Sequence, residues 1–331
     1  MTDFLDSCYA AIRVQEKSIA DTLESIDEIG INLRTKRRIV LVGAGDSYAV
    51  SEYGKWTFLA VDLNALSISP TEIMDIPLDS KCLIIGVTAS GRSLSTIDAI
   101  QEARKKGAEV VVLTDNKGGK AVEDATEVWI TKAHVDSYNV SPASPTTTAM
   151  AYLLKVAALQ NSSIQRDLLS DIDNLIGNGL KMLEWAEIEG AAISKMVSVG
   201  RPLYMISDGP NYVAAQIGMM KFDEFSIIKG LVALREDFCH HHVFGIDEMD
   251  QAVLISCSPI TTDDERYMNV LLGVLKMKAY HLHNDLGLKT SLAQAIPNTI
   301  ALQIASHRVV RRINPHLSGF KLPHAKAFKI Y

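Results

Sequence analysis

Cysteine is scarce in this 331-residue sequence: Cys8, Cys82, Cys239 and Cys257 stand far apart, at no paired spacing. A disulfide framework therefore has no basis, and the pattern suits a reducing compartment, with the cytoplasm as the expected location. A basic excess is missing as well. Lys and Arg number 33 against 39 Asp and Glu, a net charge of −6. That excludes a broad nucleic-acid surface, which needs positive charge, but leaves room for a local phosphate pocket. No apolar run reaches the roughly 18–20 residues of a membrane helix. The first residues carry Asp3 and Asp6 and no apolar core, so no secretory signal is read. With 47% hydrophobic and 22% charged residues the composition is that of an average globular protein. Disorder, collagen and coiled coil are excluded as whole-chain answers. The length suits two domains and a core that needs no metal or disulfide staple.

What is present is an alternation of strands and helices. Residues 3–29 have helical spacing and end at Gly30. Ile39–Val42 is a short β-branched run of the kind buried in parallel sheets, and it breaks at Gly43-Ala44-Gly45-Asp46-Ser47 before a helical stretch. Residues 81–88 (KCLIIGVT) repeat the pattern and end in Ala89-Ser90-Gly91-Arg92-Ser93. A helix over 94–106 follows, closed by Gly107. Val110–Leu113 is a third strand, stopped by Asp115-Asn116-Lys117-Gly118-Gly119, and Trp129-Ile130 starts a fourth. Pro145 is placed to open a helix through Ala149–Gln160, with helical pattern continuing to about Val199. Such an alternation implies βαβ units around a parallel sheet.

The two halves look alike. Arg37, Gly45, Tyr48, Gly54 and Phe58 recur as Arg201, Gly209, Tyr212, Gly218 and Phe222, each 164 positions on. The second half again runs strand (203–206), glycine turn, helix, strand (252–257), Ser258 loop and helix. An ungapped match across strand, turn and helix points to a duplicated doubly wound domain. The expected fold class is α/β, two tandem doubly wound parallel-sheet (flavodoxin-like) domains. Residues 1–165 would form an N-terminal helix and the first, and 166–331 the second with a C-terminal tail.

In such sheets ligands sit beyond the carboxyl ends of the strands. Both first-half loops stand there, and each combines glycine with hydroxyls: Gly45 and Ser47, then Thr88, Ser90, Gly91 and Ser93. Glycine lets backbone N–H groups approach an anion, hydroxyls donate further bonds, and a helix N-terminus adds positive potential. One such loop is explained by ordinary helix capping; two in one βαβ domain favour a phosphate site with few formal charges. Dinucleotide binding is the rival, but GAGDSYA lacks the third glycine of the fingerprint, where Ala49 and Val50 stand.

These loops resemble those of the sugar isomerase (SIS) family, and the doubled arrangement resembles the isomerase half of glucosamine-6-phosphate synthase. The likeness spans nearly the whole chain. SDGPNYVAAQIGMMKFDEFS aligns without gaps on the family's segment carrying K-x-x-E, here Lys221 to Glu224, and a histidine follows 16 residues later as His240. A proline-then-A-K tail is matched by LPHAKAFKIY, which places Lys326. The resemblance implies that Ser47, Thr88, Ser90 and Ser93 hold a sugar phosphate. Glu224 would move a proton between carbons 1 and 2, with Lys221 assisting the charged intermediate. His240, given by the neighbouring subunit in the family, would open the sugar ring, and Lys326 would reach the open-chain carbonyl. The chemistry is consistent: one carboxylate can serve two adjacent carbons, and histidine titrates near neutrality. Taken alone, Lys221 and Glu224 at i and i+3 read as a surface salt bridge.

There are departures. Ala89 and Arg92 stand where the family has glutamine and glutamate, Ile217 replaces a glutamate, His241-His242 replace Gly-Pro, and 140–146 recast another loop. An amidotransferase domain is expected to be absent. Cys239 to His242, with His281 and His283, suggest a metal, but adjacent residues cannot all turn to one ion, so no metal and no cofactor are expected. Arg308, Arg311 and Arg312 form a basic spot at a helix end, either a solvated face or a second phosphate contact. The expectation is an enzyme that isomerises a hexose or amino-hexose 6-phosphate, alone or with deamination. It would be a homodimer, with ammonia as a further partner where an amino group is handled and with no nucleic-acid or membrane partner. A sugar-phosphate-binding regulator and a deglycase of fructosamine phosphates are the alternatives.

Overall fold

The computed structural model describes residues 3–135, 141, 143–225, 228–320 and 327–328. The described residues divide into two compact units, one within Val14–Gly177 and the other made of residues 3–13 with Asn178–Phe320.

The first unit is built on β1 (Arg38–Val42), β2 (Ala65–Ile68), β3 (Cys82–Val87), β4 (Glu109–Thr114) and β5 (Glu127–Ile130). All pair parallel, in the order β2-β1-β3-β4-β5. β3 is buried along its whole length and β1 and β4 nearly so, as their unbroken apolar sequences require. Because β1 continues to β2 on one side and the chain then crosses to β3 on the other, the order switches between β1 and β3. The second unit repeats this with β6 (Leu203–Ser207), β7 (Gly230–Leu234), β8 (Gln251–Ile255) and β9 (Lys278–Leu282), parallel in the order β7-β6-β8-β9. Its switch point lies between β6 and β8.

Residues 3–29 form two helices rather than one, α1 (Phe4–Arg13) and α2 (Gln15–Glu24), and they belong to different units. In the first unit, α3 (Asp46–Leu59) and α4 (Leu94–Lys105) follow β1 and β3. Gly107 at φ +87° ends α4 as expected, its N–H bonding the Arg104 carbonyl. α5 (Ser144–Ala158) is buried at nearly every position, with Pro145 in its first turn. The pattern up to Val199 resolves into α6 (Gln165–Gly177) and α7 (Gly179–Met196), and the break between them is the boundary between units.

In the second unit, α8 (Gly209–Glu224), α9 (Arg235–His240), α10 (Thr262–Asn269) and α11 (Ser291–Ile313) complete the set. α11 is the central pillar: all but a few of its residues are buried, and it packs on α7, α8 and α1. The division therefore differs from one at residue 165, because α1 lays Leu5, Cys8 and Ile12 inward and is tied to α11. His307 bonds the Leu5 carbonyl through Nε2 at 2.9 Å, and Arg311 pairs with Asp3 and Asp6.

Candidate active site

Gly45 precedes α3 at φ +58°, a backbone that L side chains rarely adopt, and Gly91 turns the second loop at φ +68°. At Gly91 space matters as well: a Cβ there would lie 2.7 Å from Gly119 Cα. The two loops flank the β1–β3 switch point, where a doubly wound sheet opens its crevice. Thr88 is buried, and Ser47, Ser90 and Ser93 are half-buried. Neither α3 nor α4 receives a side-chain bond from its N-cap residue. Gly45 has none to offer, and Ser93, the residue before α4, makes no side-chain cap bond. Its hydroxyl instead accepts from Thr96 Oγ1 at 3.2 Å. The Ser90 hydroxyl accepts from the Arg92 N–H at 3.3 Å inside the turn, so N-cap bonds do not account for Ser90 or Ser93, and the turns remain suited to an anion.

The second loop is braced from a strand away. The Asn116 amide donates to the Ser90 carbonyl at 2.9 Å, and the Asp115 and Ala121 N–H groups bond the Ala89 and Gly91 carbonyls at 3.2 and 3.0 Å. In the sequence Asp115–Gly119 reads only as the end of β4, and its D-N-K-G-G composition is the one local signal of the brace. Asp115 itself is pushed up by burial, against hydrogen bonds from the Ala133 N–H and Thr131 hydroxyl. Ala89 is half-buried and Arg92 exposed at the loop.

Lys221 and Glu224 close the last turn of α8. Lys221 Nζ donates to both Glu224 oxygens, at 3.0 and 3.1 Å. Its side chain is only 2% exposed, while that of Glu224 is 30% exposed. The pair is thus not a solvated surface bridge: a desolvated ammonium is neutralised by a carboxylate that still reaches solvent. Burial and the Glu224 charge push the neighbouring Asp223 carboxyl upward. Ile217, where the resemblance leads one to look for glutamate, is fully buried.

His240 ends α9 with its side chain 70% exposed and Nε2 3.4 Å from Glu236. The other histidines turn elsewhere. His242 packs on Tyr204 and Phe238, His281 bonds Ser256 at 2.8 Å, and His283 faces Ser258. Among the described residues no three His, Cys, Asp or Glu side chains are grouped to hold a metal. All four cysteines are free thiols. Arg308 pairs with Glu187, Arg311 with Asp3 and Asp6, and Arg312 donates to the Ser194 and Val197 carbonyls, so the basic spot at the end of α11 is a structural tie. Lys326 lies outside the described residues. The phosphate-loop residues belong to the first unit, and Lys221, Glu224 and His240 to the second. Among the described residues no helix is long and apolar enough to cross a membrane.

Residues 32–159 match the family model of the SIS domain. The chain is 28% identical over 278 residues to the glutamine–fructose-6-phosphate aminotransferase (isomerizing) of Aquifex aeolicus, a match covering 80% of this chain and 45% of that protein. It thus spans about half the length of such relatives. Its structure superposes on the C-terminal domain of the glucosamine-fructose-6-phosphate aminotransferase of Francisella tularensis with a TM-score of 0.81 at 17% identity, over 97% of this chain and 98% of that one. The glucosamine-6-phosphate deaminase of Thermotoga maritima follows at 0.73 and 16% identity, over 92% and 95%. Residues 32–159 thus resemble a SIS domain, and over its length the chain shares the fold of these structures.

Proposed function

We propose that this protein is a sugar-phosphate isomerase acting on a hexose or amino-hexose 6-phosphate, with two SIS-type units in tandem. The observation that carries the proposal is the pair of uncapped, glycine-turned hydroxyl loops, Gly45–Ser47 and Thr88–Ser93, at the β1–β3 switch point. Such loops suit a phosphate dianion because backbone N–H groups and hydroxyls solvate it without cations, in keeping with the net charge of −6. The relatives support the substrate class, since all three carry a hexose or amino-hexose 6-phosphate in their names.

Glu224 is the proton carrier in this reading. Its carboxylate takes a proton from one carbon of the open-chain sugar and returns it to the next, which converts aldose to ketose through an enediol. Lys221 keeps the carboxylate fixed and offsets negative charge as the enediol forms. His240 exchanges the proton that opens the ring, and Lys326 addresses the carbonyl. With a 2-amino group the same proton shift would give a ketimine at carbon 2, and addition of water to that carbon would then release ammonia and leave the ketose.

The test is Glu224→Gln, which preserves size and hydrogen bonding but removes the base. Turnover of hexose and hexosamine 6-phosphates, and exchange of the carbon 2 proton into solvent, should fall by about 10²–10⁴. Binding of the phosphate should persist. Wild-type exchange in that variant would move the base elsewhere, and a wild-type protein that binds these sugars without turnover would be a regulator.

A further inference from the structure

The second sheet has its own switch point, between β6 and β8, and the chain fills it with its own side chains. Arg235 is the first residue of α9, and its guanidinium reaches across this crevice. Nη2 donates to Asp264 Oδ1 at 2.6 Å and to Ser256 Oγ at 2.8 Å, and Nε lies 3.4 Å from Asp208 Oδ2. The backbone of Arg235 is held as well. Its N–H donates to Asp208 Oδ1 at 3.3 Å, and its carbonyl accepts from the Tyr267 hydroxyl at 3.2 Å. The guanidinium also lies 5.8 Å from the centre of the Tyr267 ring.

The anchors are themselves fixed. Asp264 is buried in a capping box with Thr261 at the start of α10. The Ser256 hydroxyl gives its proton to Asp264 at 2.7 Å, so His281 bonds Ser256 by donating from Nε2 at 2.8 Å. Every strand of the sheet contributes a residue: Asp208 after β6, Arg235 after β7, Ser256 after β8 and His281 within β9.

A six-residue helix has little stability of its own, because nucleation dominates at that length. The direction and register of α9 are therefore set by its tertiary anchors. Phe238 is buried against Tyr204 and Tyr267, which leaves His240 on the exposed side. We infer that Arg235 is a positioning residue for His240: the bonds from its Nη2 to Asp264 and Ser256 and the Tyr267 bond to its carbonyl fix the start of α9, and so the place from which the imidazole works. The inference rests on the reading of His240 as the ring-opening group.

The experiment compares fructose 6-phosphate with 5-deoxyfructose 6-phosphate, which lacks the hydroxyl that closes the ring. Arg235→Ala should lower kcat on fructose 6-phosphate by about tenfold to a hundredfold. Carbon 1 proton exchange in the 5-deoxy analogue, and KM for both, should stay within about twofold. Arg235→Lys keeps the charge but loses the planar guanidinium that sets Nη2 on Asp264 and Ser256 while Nε faces Asp208, and should restore only part of the rate. Tyr267→Phe removes the bond to the Arg235 carbonyl together with the weaker one from the Cys239 thiol at 3.6 Å, both ties on α9, and decides the case if Arg235→Ala does not fold. An equal loss on both sugars would mark a structural role and overturn the inference, as would full activity on fructose 6-phosphate. His240→Asn is the reference. If it shows no preference for the open-chain analogue, the functional reading has failed and the inference falls with it. If it shows that preference and the Arg235 variants do not, the positioning role alone has failed.

Discussion

At Gly91 two constraints act on one residue. The positive φ penalises any side chain, and Gly119 Cα occupies the space a Cβ would need. Gly91→Ala should therefore destabilise the protein by about 1–3 kcal/mol and loosen the turn that presents Ser90 and Ser93. Wild-type protein should melt higher with millimolar fructose 6-phosphate and unchanged with fructose, because ligand that binds the folded state adds RT ln(1 + [L]/Kd). In Gly91→Ala the phosphate-dependent shift should shrink by more than the loss of stability explains. An undiminished shift would remove this loop from the ligand site. The loop hydroxyls were legible in the sequence because glycine and hydroxyls at a strand–helix turn have a local chemical meaning. The Asn116 brace and the Arg235 anchor were not, since each acts on a segment some 20 or more residues away that only the folded sheet brings near. Lys221 was legible as a partner of Glu224 but not as buried, because α8 is enclosed by α11 and periodicity alone does not show that.

Among the elements, α8 matters most to the proposed chemistry, and its place depends on a missing side chain. Gly218 lies one turn before Lys221, and a Cβ there would come within 2.8 Å of Leu302 Cβ on α11. Alanine gains about 1 kcal/mol in helix propensity over glycine. Overpacking against a helix that is buried almost throughout costs about 1–3 kcal/mol and should prevail. Gly218→Ala is thus expected to lower the melting temperature and to depress turnover by tilting the Lys221–Glu224 pair. Gly177→Ala, whose Cβ would meet nothing within 4 Å, serves as the control and should be neutral or stabilising. A Gly218→Ala protein as stable as the control would show that α8 and α11 yield to one another. Strands read unevenly from the sequence for a related reason. β1, β3 and β4 are buried apolar runs and stand out, whereas β2, β7 and β9 lie at sheet edges, are half-exposed and carry Ser, Gly, Lys and His. Their place comes from pairing with a central strand rather than from their own pattern.

For the whole molecule, the repeat visible as a 164-residue offset corresponds to β1–α3 and β6–α8, and the two sheets share their strand order apart from the fifth strand of the first. The two switch points differ in chemistry: glycine turns bearing hydroxyls stand at one, while at the other Arg235, Asp264 and Ser256 bond one another. One sugar phosphate per chain is the expected stoichiometry. The exposed side of the second unit adds a further expectation. Phe244 is 85% exposed just after α9, and the edge strand β7 shows Leu231 and Leu234 to solvent, so apolar surface surrounds the segment bearing His240. A second copy covering it would form a closed twofold dimer, the commonest assembly, and would bring His240 to its partner's site, as the resemblance implies. Light scattering of the active protein should then give twice the chain mass. Complementation tests the shared site directly. Glu224→Gln and His240→Asn proteins should each be nearly inactive, but in a mixed dimer one site pairs an intact Glu224 with an intact His240. Random reassortment makes half the dimers mixed, each with one working site of two, so turnover should recover to about a quarter of wild type. If His240 serves the Glu224 of its own chain, every site in every dimer lacks one group, and mixing recovers nothing.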